Sequence, residues 1–440
     1  MIFLVIAYLS LFFIGYRFFW LSNSYDELRL VLIVLTFITG GLSLFILKSK
    51  FISKKNLTFL AFLIVILIIS LDSEVTVYKF YDLLMWLSSF LLFYALKQEN
   101  FLLNKNEFAL CVVVLFSVIP CLYILFTLLG LIKTGIFFGW QMNSGSIRIY
   151  DSVIVPIFWI AVYLYEKNVY IKKAYTIICF FIALALFVDG ARSALLSLFI
   201  PLIILYFSGN NYKKIVIKSF VGFLVAFILY QCVFYYYSLI YHQETALSIA
   251  RYTSSYRSDI WLYMFELWKQ NPFWGVGGGY LAQVQYPYGH HMHNAYLRLI
   301  FEWGFIGLVG LIWILNKMYS LMKSNVNIAL KMGVLAILID AMFSGNFIYP
   351  ASQVACALFL ALAFSQQDQM KFENNEFQNT TQQYLNTKTL YIACYLFFVV
   401  IVFVYLRYDM LCFGCSSDEG RAAPFFWEHG ASQMLSKRDE

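Results

Sequence analysis

The chain has 440 residues, of which 62% are hydrophobic and 12% are charged, and its formal net charge is +7. Soluble domains carry about 25% charged residues, so this composition excludes a soluble enzyme and makes lipid the main solvent of the chain. The 8 cysteines are scattered, most of them in or beside apolar runs, which excludes a disulfide framework.

Apolar runs that could cross a bilayer follow one another along the chain, since a span needs about 20 mostly apolar residues. They lie at 2–20, 28–47, 57–72, 80–97, 108–130, 150–166, 174–189, 191–207, 215–237, 295–315, 330–348, 351–365 and 389–406. The first run has neither a basic n-region nor a small-residue cleavage site, so we interpret it as a retained span. The sequence predicts an all-α, polytopic transmembrane bundle of about 12–13 spans, depending on the short pair around Pro350.

The connections between these runs alternate in charge. Lysines cluster in every second connection, at 48–55, 97–105, 167–173, 213–218 and 317–331, whereas 238–294 is the longest lysine-poor stretch. The positive-inside rule then places the N-terminus and the lysine loops in the cytoplasm. The predicted organisation is nine spans over 1–237, a large extracytoplasmic loop over 238–294, further spans over 295–406 and a tail over 407–440. A polar segment at 366–388 is interpreted as a flexible cytoplasmic linker.

Motifs for nucleotides are missing from the sequence. There is no P-loop, and the glycine cluster at 275–279 precedes no strand–helix unit. Without a cytoplasmic domain, an enzyme of this kind cannot depend on cytosolic nucleotide-sugars or ATP, and we predict no cofactor. The C-x-x-C of Cys412 and Cys415 has no second pair and is assigned no role.

The densest group of polar and aromatic residues lies in the large loop. Arg257 opens an amphipathic helical stretch that continues through Trp268, and Asn271 and Pro272 end it. Gly275 and the glycines after it, including Gly277, permit positive φ angles and close approach of the backbone.

Histidines stand at the end of this loop, and His293 directly precedes the apolar run 295–315. At this water–membrane boundary a neutral imidazole can take a proton from a sugar hydroxyl. The alternative is a solvated histidine in a loop that serves only as a lid. His290, His291 and His293 are too close in sequence for an ordinary tetrahedral site, so no metal is predicted.

Arginines at the outer ends of spans are candidates for binding phosphate. Arg192 follows Asp189 by three residues and opens an apolar run, so it serves either as the partner of that carboxylate or as a guanidinium clamp for phosphate. Arg257, near the histidines, and Arg148, in a lysine-poor loop, are further candidates. Asp340 within an apolar run is a functional acid or, as we favour, a packing residue.

The spacing of His293-Asn294, nine residues, Gly304, two residues, Gly307 resembles the H-[NSQ]-x9-G-x2-[GTY] signature of O-antigen ligases. Two further segments resemble elements of the O-antigen ligase and polymerase superfamily: Arg192-Ser193-Ala194-Leu195-Leu196 and Arg257…Trp261…Asn271-Pro272…Gly275-Val276-Gly277. The resemblance covers about 190–310. Polymerases share this core, while the thirteenth span and the tail depart from the family pattern.

The resemblance implies a GT-C-like fold and a metal-independent glycosyltransferase of the bacterial inner membrane, with its active site facing the periplasm. It would transfer a glycan from undecaprenyl diphosphate to lipid A–core in lipopolysaccharide or surface-polysaccharide biosynthesis, with no nucleic acid as partner. His293 is then the catalytic base, Asn294 orients it, and Arg192 and Arg257, with Arg148 added, bind the diphosphate. A repeat-unit polymerase, whose acceptor is another lipid-linked glycan, stays open. A glycolipid flippase or transporter is the alternative from another class, although apolar spans and a decorated outer loop favour an enzyme.

Overall fold

The computed structural model describes residues 33–43, 76–98, 113, 117, 124–125, 128–133, 147–241, 256–283, 292–343 and 346–373. Every regular element among them is an α-helix, which confirms the predicted all-α class. The helices are α1 (Ile33–Ser43), α2 (Thr76–Gln98), α3 (Ile147–Leu164), α4 (Val169–Asp189), α5 (Arg192–Phe207), α6 (Asn210–Tyr241), α7 (Arg257–Gln270), α8 (Tyr280–Gln283), α9 (Ala295–Lys323), α10 (Ile328–Ala341) and α11 (Pro350–Glu373). The predicted spans at 2–20, 57–72 and 389–406 and the tail lie outside the described residues.

Capping residues set the ends of the helices. Asn168 begins α4, because its side chain accepts hydrogen bonds from the backbone N–H groups of Tyr170 and Ile171 at 2.9 and 3.1 Å. Gly190 ends α4 in the left-handed conformation, with a φ of 68°. Since α5 begins two residues later, at Arg192, the two helices form a tight hairpin at the turn that the sequence predicts.

The core of the bundle is built around α3, whose described side chains are buried along its whole length. It packs against α4, α10 and α11, while α6 packs on α4, α5 on α10, and α2 on α11. A helix that is apolar on all sides is typical of such an interior position. Gly222 lets α6 approach α4 closely, since an added Cβ would lie 2.7 Å from the Thr176 carbonyl oxygen.

Among the helices that the structure describes, three, α4, α6 and α9, are long and apolar enough to cross a membrane by length and composition. The helix α1, the Tyr150–Leu164 part of α3 and α5 are also apolar but shorter. The outer side of α6 exposes Leu224, Val225 and Ile228. Lipid solvates such a row of apolar side chains better than water does, so these helices support a membrane location.

Contacts at one set of helix ends agree with the predicted cytoplasmic loops. Lys97 Nζ lies 2.7 Å from Asp368 Oδ2, and the backbone N–H of Asn327 donates to Gln366 Oε1 at 3.0 Å. Both contacts join ends that the lysine pattern assigns to the same side. They also hold the end of α11, which continues to Glu373, so the first residues of the predicted flexible linker 366–388 are helical.

Contacts at the opposite helix ends also join residues that the lysine pattern assigns to one side of the membrane. The Tyr241 hydroxyl donates to the Ile132 carbonyl at 3.2 Å, and Arg298 pairs with Asp82. Tyr241 and Arg298 lie at either end of the predicted outer loop 238–294. Asp82 and Ile132 lie beside connections that alternate with the lysine-rich ones, so the same pattern assigns them to the outer side. The described contacts thus agree with the alternation of loops, while the side that faces the cytoplasm stays a prediction.

One predicted span is divided differently in the structure. Within the run 330–348, α10 ends at Ala341, and the next described helix, α11, begins at Pro350. Proline suits the first turn of a helix, because its missing N–H would have no partner within the helix.

Candidate functional site

The large loop contains a compact unit built on α7. The predicted helical stretch is confirmed, because α7 covers Arg257–Gln270 and Asn271 is its C-cap. It packs on the first turns of α9 through a small apolar cluster made of Ile260, Met264, Leu281, Met292 and Phe301. This cluster is separate from the main core of the bundle, so the unit has its own apolar support.

The glycine-rich segment after α7 lies along a break in α9. Gly304 interrupts α9 with a φ of 57° and a ψ of −142°. The carbonyl groups of Phe301 and Glu302, just before the break, accept hydrogen bonds from the backbone N–H groups of Val276 and Gly277 at 3.0 and 2.8 Å. The glycine-rich segment therefore satisfies backbone groups that an interrupted helix leaves open.

Two of the predicted glycines are required by this close approach. Gly275 and Gly304 have φ angles of 73° and 57°, and a Cβ on Gly304 would lie 2.6 Å from the Gly275 backbone nitrogen. Gly277 also has a positive φ, and a Cβ on Gly307 would meet the Leu299 carbonyl group. All four loop glycines predicted from the sequence thus lie at or beside the break in α9.

His293 lies at the start of α9 and is half-buried. Its φ of 50° is uncommon for any residue but glycine, and such conformations cluster at functional sites. The backbone is fixed on both sides: Trp261 Nε1 donates to the Met292 carbonyl at 2.7 Å, and Asn294 caps α9. The imidazole is therefore presented from a backbone that its two neighbours hold in place.

Asn294 has a defined task in the structure. Its side-chain oxygen accepts hydrogen bonds from the backbone N–H groups of Tyr296 and Leu297, each at 3.0 Å. This is the ordinary bonding of a helix N-cap. An influence of Asn294 on His293 would therefore pass through the backbone, and its predicted orienting role stays a prediction.

The structure brings Arg257 into the same unit as His293. Arg257 is half-buried and opens α7, one helical turn before Trp261, so the two side chains share a face of the helix. Trp261 in turn bonds the residue next to His293. Arg192 is exposed at the tip of the α4–α5 hairpin. Arg148 lies in the first turn of α3, and its side chain is outside the described part of the chain.

A buried group of charged residues lies behind this unit, and the sequence analysis missed it. Arg298 pairs with Asp82 of α2, and its Nε donates to Glu302 Oε2 at 2.9 Å. All three side chains are at most 5% exposed. We refer to Asp82, Arg298 and Glu302 as the buried ionic cluster.

Further hydrogen bonds join this cluster to its surroundings. Trp303 Nε1 donates to Asp82 Oδ2 at 3.2 Å, and the backbone N–H of Gly279 donates to Glu302 Oε2 at 3.0 Å. A Cβ on Gly278 would lie 2.8 Å from Asp82 Oδ2, so a glycine is needed for the loop to pass over this carboxylate. The cluster therefore connects α2, the glycine-rich segment and the first part of α9.

A signal for the buried ionic cluster was present in the sequence. Arg298 and Glu302 stand four residues apart within the predicted span 295–315, and Asp82 lies within 80–97. Ionisable residues inside a membrane span are costly and indicate a functional site by default. Their spacing of four also allows an ion pair on one face of a helix.

Metal ligands do not cluster in the described part of the chain, where no three His, Cys, Asp or Glu side chains are placed to hold one ion. His290 and His291 lie outside the described residues. The prediction that the reaction needs no metal stays a prediction.

Comparison with known proteins confirms the family resemblance. Residues 177–312 match the family model described as O-Antigen ligase. The chain is also 28% identical over 224 residues to the "ComP-specific O-oligosaccharyltransferase" of Acinetobacter baylyi (strain ATCC 33305 / BD413 / ADP1). That match covers 47% of this chain and 40% of the relative, so the chain spans about two fifths of the relative's length. Arg192, Arg257 and His293 all fall within the family match.

Proposed function

We propose, from the match of residues 177–312 to the O-antigen ligase family model, that the protein is a glycosyltransferase acting on lipid-linked glycans. The observation that carries the proposal is the link between Arg257 and His293: Trp261 lies one turn after the arginine and bonds the Met292 carbonyl. A cation suited to a diphosphate and an imidazole suited to a hydroxyl thereby belong to one unit.

The proposed reaction forms one glycosidic bond and breaks one bond between sugar and diphosphate. The acceptor hydroxyl oxygen attacks the anomeric carbon of the donor, and the hydroxyl proton passes to the imidazole of His293. Undecaprenyl diphosphate leaves with the electron pair of the broken bond. Arg192 and Arg257, together with Arg148, pair with the charge that develops on the leaving diphosphate.

We further propose that the reaction takes place on the periplasmic face of a bacterial inner membrane, with lipid A–core as the acceptor. The lysine pattern supports this side, because it assigns the loop 238–294 to the outside. Half-buried His293 at the start of α9, a candidate span, supports a position near the membrane boundary. A lipid-anchored donor and a sugar hydroxyl can meet at such a boundary.

A second candidate concerns the acceptor. The relative from Acinetobacter baylyi is an O-oligosaccharyltransferase named as specific for ComP, so its printed name gives an acceptor other than lipid A–core. The same base and the same diphosphate site would serve any acceptor hydroxyl, including the sugar of another lipid-linked unit in a polymerase. Experiment therefore decides which acceptor the protein uses.

Deletion of the gene in its own bacterium separates these functions. A ligase is expected to leave full-length glycan on the lipid carrier and none on the surface. A core that carries a single repeat unit would indicate a polymerase instead. Unaltered lipopolysaccharide together with another molecule that has lost its glycan would indicate the second acceptor class. Single carrier-linked units retained on the cytoplasmic face would contradict a transferase and indicate a flippase.

Metal independence has its own test in the purified protein. If the arginines carry the charge of the diphosphate, EDTA should leave the turnover of lipid-linked donor unchanged. The measurement compares transfer rates before and after chelation, followed by addition of Mg²⁺, Mn²⁺ or Zn²⁺ one at a time. Loss of transfer on chelation and recovery with one of these cations would contradict the proposed roles of the arginines.

A further inference from the structure

The first part of α9 is a short helical segment that cannot rely on the rest of α9 for its direction. It runs from Ala295 to Trp303, ends at the break at Gly304, and begins next to His293. A continuous helix transmits direction through its backbone hydrogen bonds, but a break removes that constraint. Contacts with other parts of the chain must therefore set the orientation of this segment, and with it the position of His293. The backbone hydrogen bonds from Val276 and Gly277 are among these contacts.

Two side chains of the segment bond other helices: the Tyr296 hydroxyl donates to the Leu338 carbonyl of α10 at 2.6 Å, and Arg298 makes the larger set of contacts. Its guanidinium pairs with Asp82, donates to Glu302 and reaches the Phe347 carbonyl oxygen at 3.4 Å. The three acceptors lie on α2, within the segment itself and just before α11. Arg298 thus fixes the segment to two other parts of the bundle at a point about 6–8 Å along the helix from His293.

The charge of the buried ionic cluster argues for a role in geometry. Burying an ion pair is costly, and apolar residues of similar volume are often as stabilising. Hydrophobic side chains, however, pack in several arrangements, whereas a planar guanidinium between two carboxylates accepts few. The buried ionic cluster therefore adds little to the stability of the fold but strongly restricts the orientation of the first part of α9.

The buried ionic cluster also bonds the glycine-rich segment, beside the first part of α9. The Gly279 N–H bonds Glu302 directly, and Trp303 donates to the second oxygen of Asp82. The glycine-rich segment is thereby bonded to Glu302, and Trp303 of the histidine-bearing segment is bonded to Asp82. A change at the cluster would move His293 relative to α7 and its Arg257.

We propose that Asp82, Arg298 and Glu302 are positioning residues that hold the first part of α9, and hence His293, in its productive place without contacting the substrate. The proposal rests on the proposed function of His293 as the base. Asp82 belongs to α2, which lies outside the family match, so the proposal gives α2 a part in the activity of the matched segment.

The primary test is Asp82→Asn, which keeps the shape of the side chain and removes its charge. Transfer by purified protein should fall by about 10- to 100-fold, because a small misplacement of a catalytic group has an effect of this size. Affinity for the lipid-linked donor should stay within about twofold, since the arginines that pair with the diphosphate are untouched. Equal losses in donor affinity and in rate would overturn the proposal.

A double variant tests whether Asp82 acts through His293. In a His293→Ala background the residual transfer should be about the same with Asp82 or Asn at position 82, because groups that act as a unit are not additive. A merely structural role would reduce the residual rate by the same factor as in the wild type. Such an additive loss would overturn the proposal.

A control variant and a milder variant distinguish a loss of positioning from a general loss of folding. Tyr175→Phe removes a buried hydrogen bond of 2.8 Å to Ser219, between α4 and α6, and should leave the transfer rate unchanged. Trp303→Phe keeps an aromatic ring but removes the 3.2 Å hydrogen bond to Asp82 and part of the ring that packs beside Gly278. It should lower the rate by a smaller factor, about 3- to 10-fold, with donor affinity retained.

The two proposals fail in different ways. If His293→Ala abolishes transfer while folded Asp82→Asn and Trp303→Phe proteins are as active as wild type, the positioning role is wrong and the proposed function stands. If folded His293→Ala protein transfers normally, the proposed mechanism itself is wrong.

Discussion

The backbone at His293 combines a left-handed conformation with two fixed neighbours. Met292 is buried in the apolar cluster, and Asn294 caps α9. A residue with a β-carbon in this conformation is strained, by about 1 kcal/mol or more. The surrounding contacts maintain the strain, which is the arrangement expected where a side chain must point in one direction.

Removal of the imidazole is the most direct test at the residue scale. His293→Ala should lower transfer by about 10²- to 10⁴-fold, the usual effect of losing a positioned acid or base. Donor binding should persist, because the diphosphate site is not altered. Initial rates and donor affinity are measured on the same purified, folded sample, and near-normal rates would remove His293 from the mechanism.

The arginines should behave differently from the histidine. Arg257→Ala and Arg192→Ala each remove a cation proposed to pair with the diphosphate, so we expect donor affinity to fall by about 30-fold and the rate to fall with it. Lysine should restore only part of the loss, because a point charge lacks the planar fork. Donor titrations of the alanine and lysine variants check this.

Arg192 also has the structural alternative of pairing with Asp189. In that case Arg192→Ala should reduce the amount of folded protein in the membrane, while the activity of each surviving molecule stays normal. Quantifying folded protein by size-exclusion chromatography alongside activity separates the two roles.

At the scale of elements, the break in α9 decides where the glycine-rich segment can lie. A continuous helix would offer no free carbonyl groups at Phe301 and Glu302 for the loop to bond. The break therefore lets the glycine-rich segment bond α9. The spacing between His293 and Gly304 sets the length of the helical segment between the histidine and the break.

Two glycines of α9 provide a matched pair of variants. Gly304→Ala forces a β-carbon into a positive φ and against Gly275, so we expect a loss of stability of about 2 kcal/mol or more. Gly310→Ala meets nothing within 4 Å and should stabilise the helix by about 0.5–1 kcal/mol. Apparent melting temperatures in detergent should move in opposite directions, and equal shifts would contradict the role of the break.

At the scale of the whole molecule, the contacts between helix ends agree with the predicted alternation of loops but do not show which side faces the cytoplasm. Reporter fusions in two loops test that orientation. A fluorescent-protein fusion at Lys173 should fluoresce, because the lysine-rich connection is predicted to be cytoplasmic. An alkaline phosphatase fusion at Gln243, after α6, should be active, since that enzyme folds only outside the cytoplasm. The reverse result at both positions would invert the orientation and remove the periplasmic site.

Much of the helical architecture could be predicted because membrane helices follow a simple rule of length and apolarity. The α4–α5 turn at Gly190 and the extent of α7 also follow from local sequence. The break at Gly304 could not be predicted from the apolar run 295–315, since glycine is common within membrane helices. Only the partner loop, whose backbone lies against Gly304, shows why the helix stops there.

The candidate site was predictable where its residues form a local pattern. His293, Gly304 and Gly307 were recognised from their spacing, and Arg257 from its neighbours in the loop. Asp82 was missed because its partner Arg298 is 216 positions away, and no local pattern reports such a pairing. Its presence in an apolar span was the one available sign.

The length of α6 has a consequence for the height of the loop above the bilayer. A straight helix of 32 residues is about 48 Å long, whereas the hydrocarbon layer is about 30 Å thick. Even at a steep tilt of about 40°, such a helix spans about 37 Å along the membrane normal. Hydrophobic mismatch therefore lifts an end of α6 into the headgroup layer, and the exposed Tyr235 and Tyr236 near its C-terminus suit that layer. We therefore expect the chain that leads to α7 to start at the depth of phosphates and sugars instead of acyl chains.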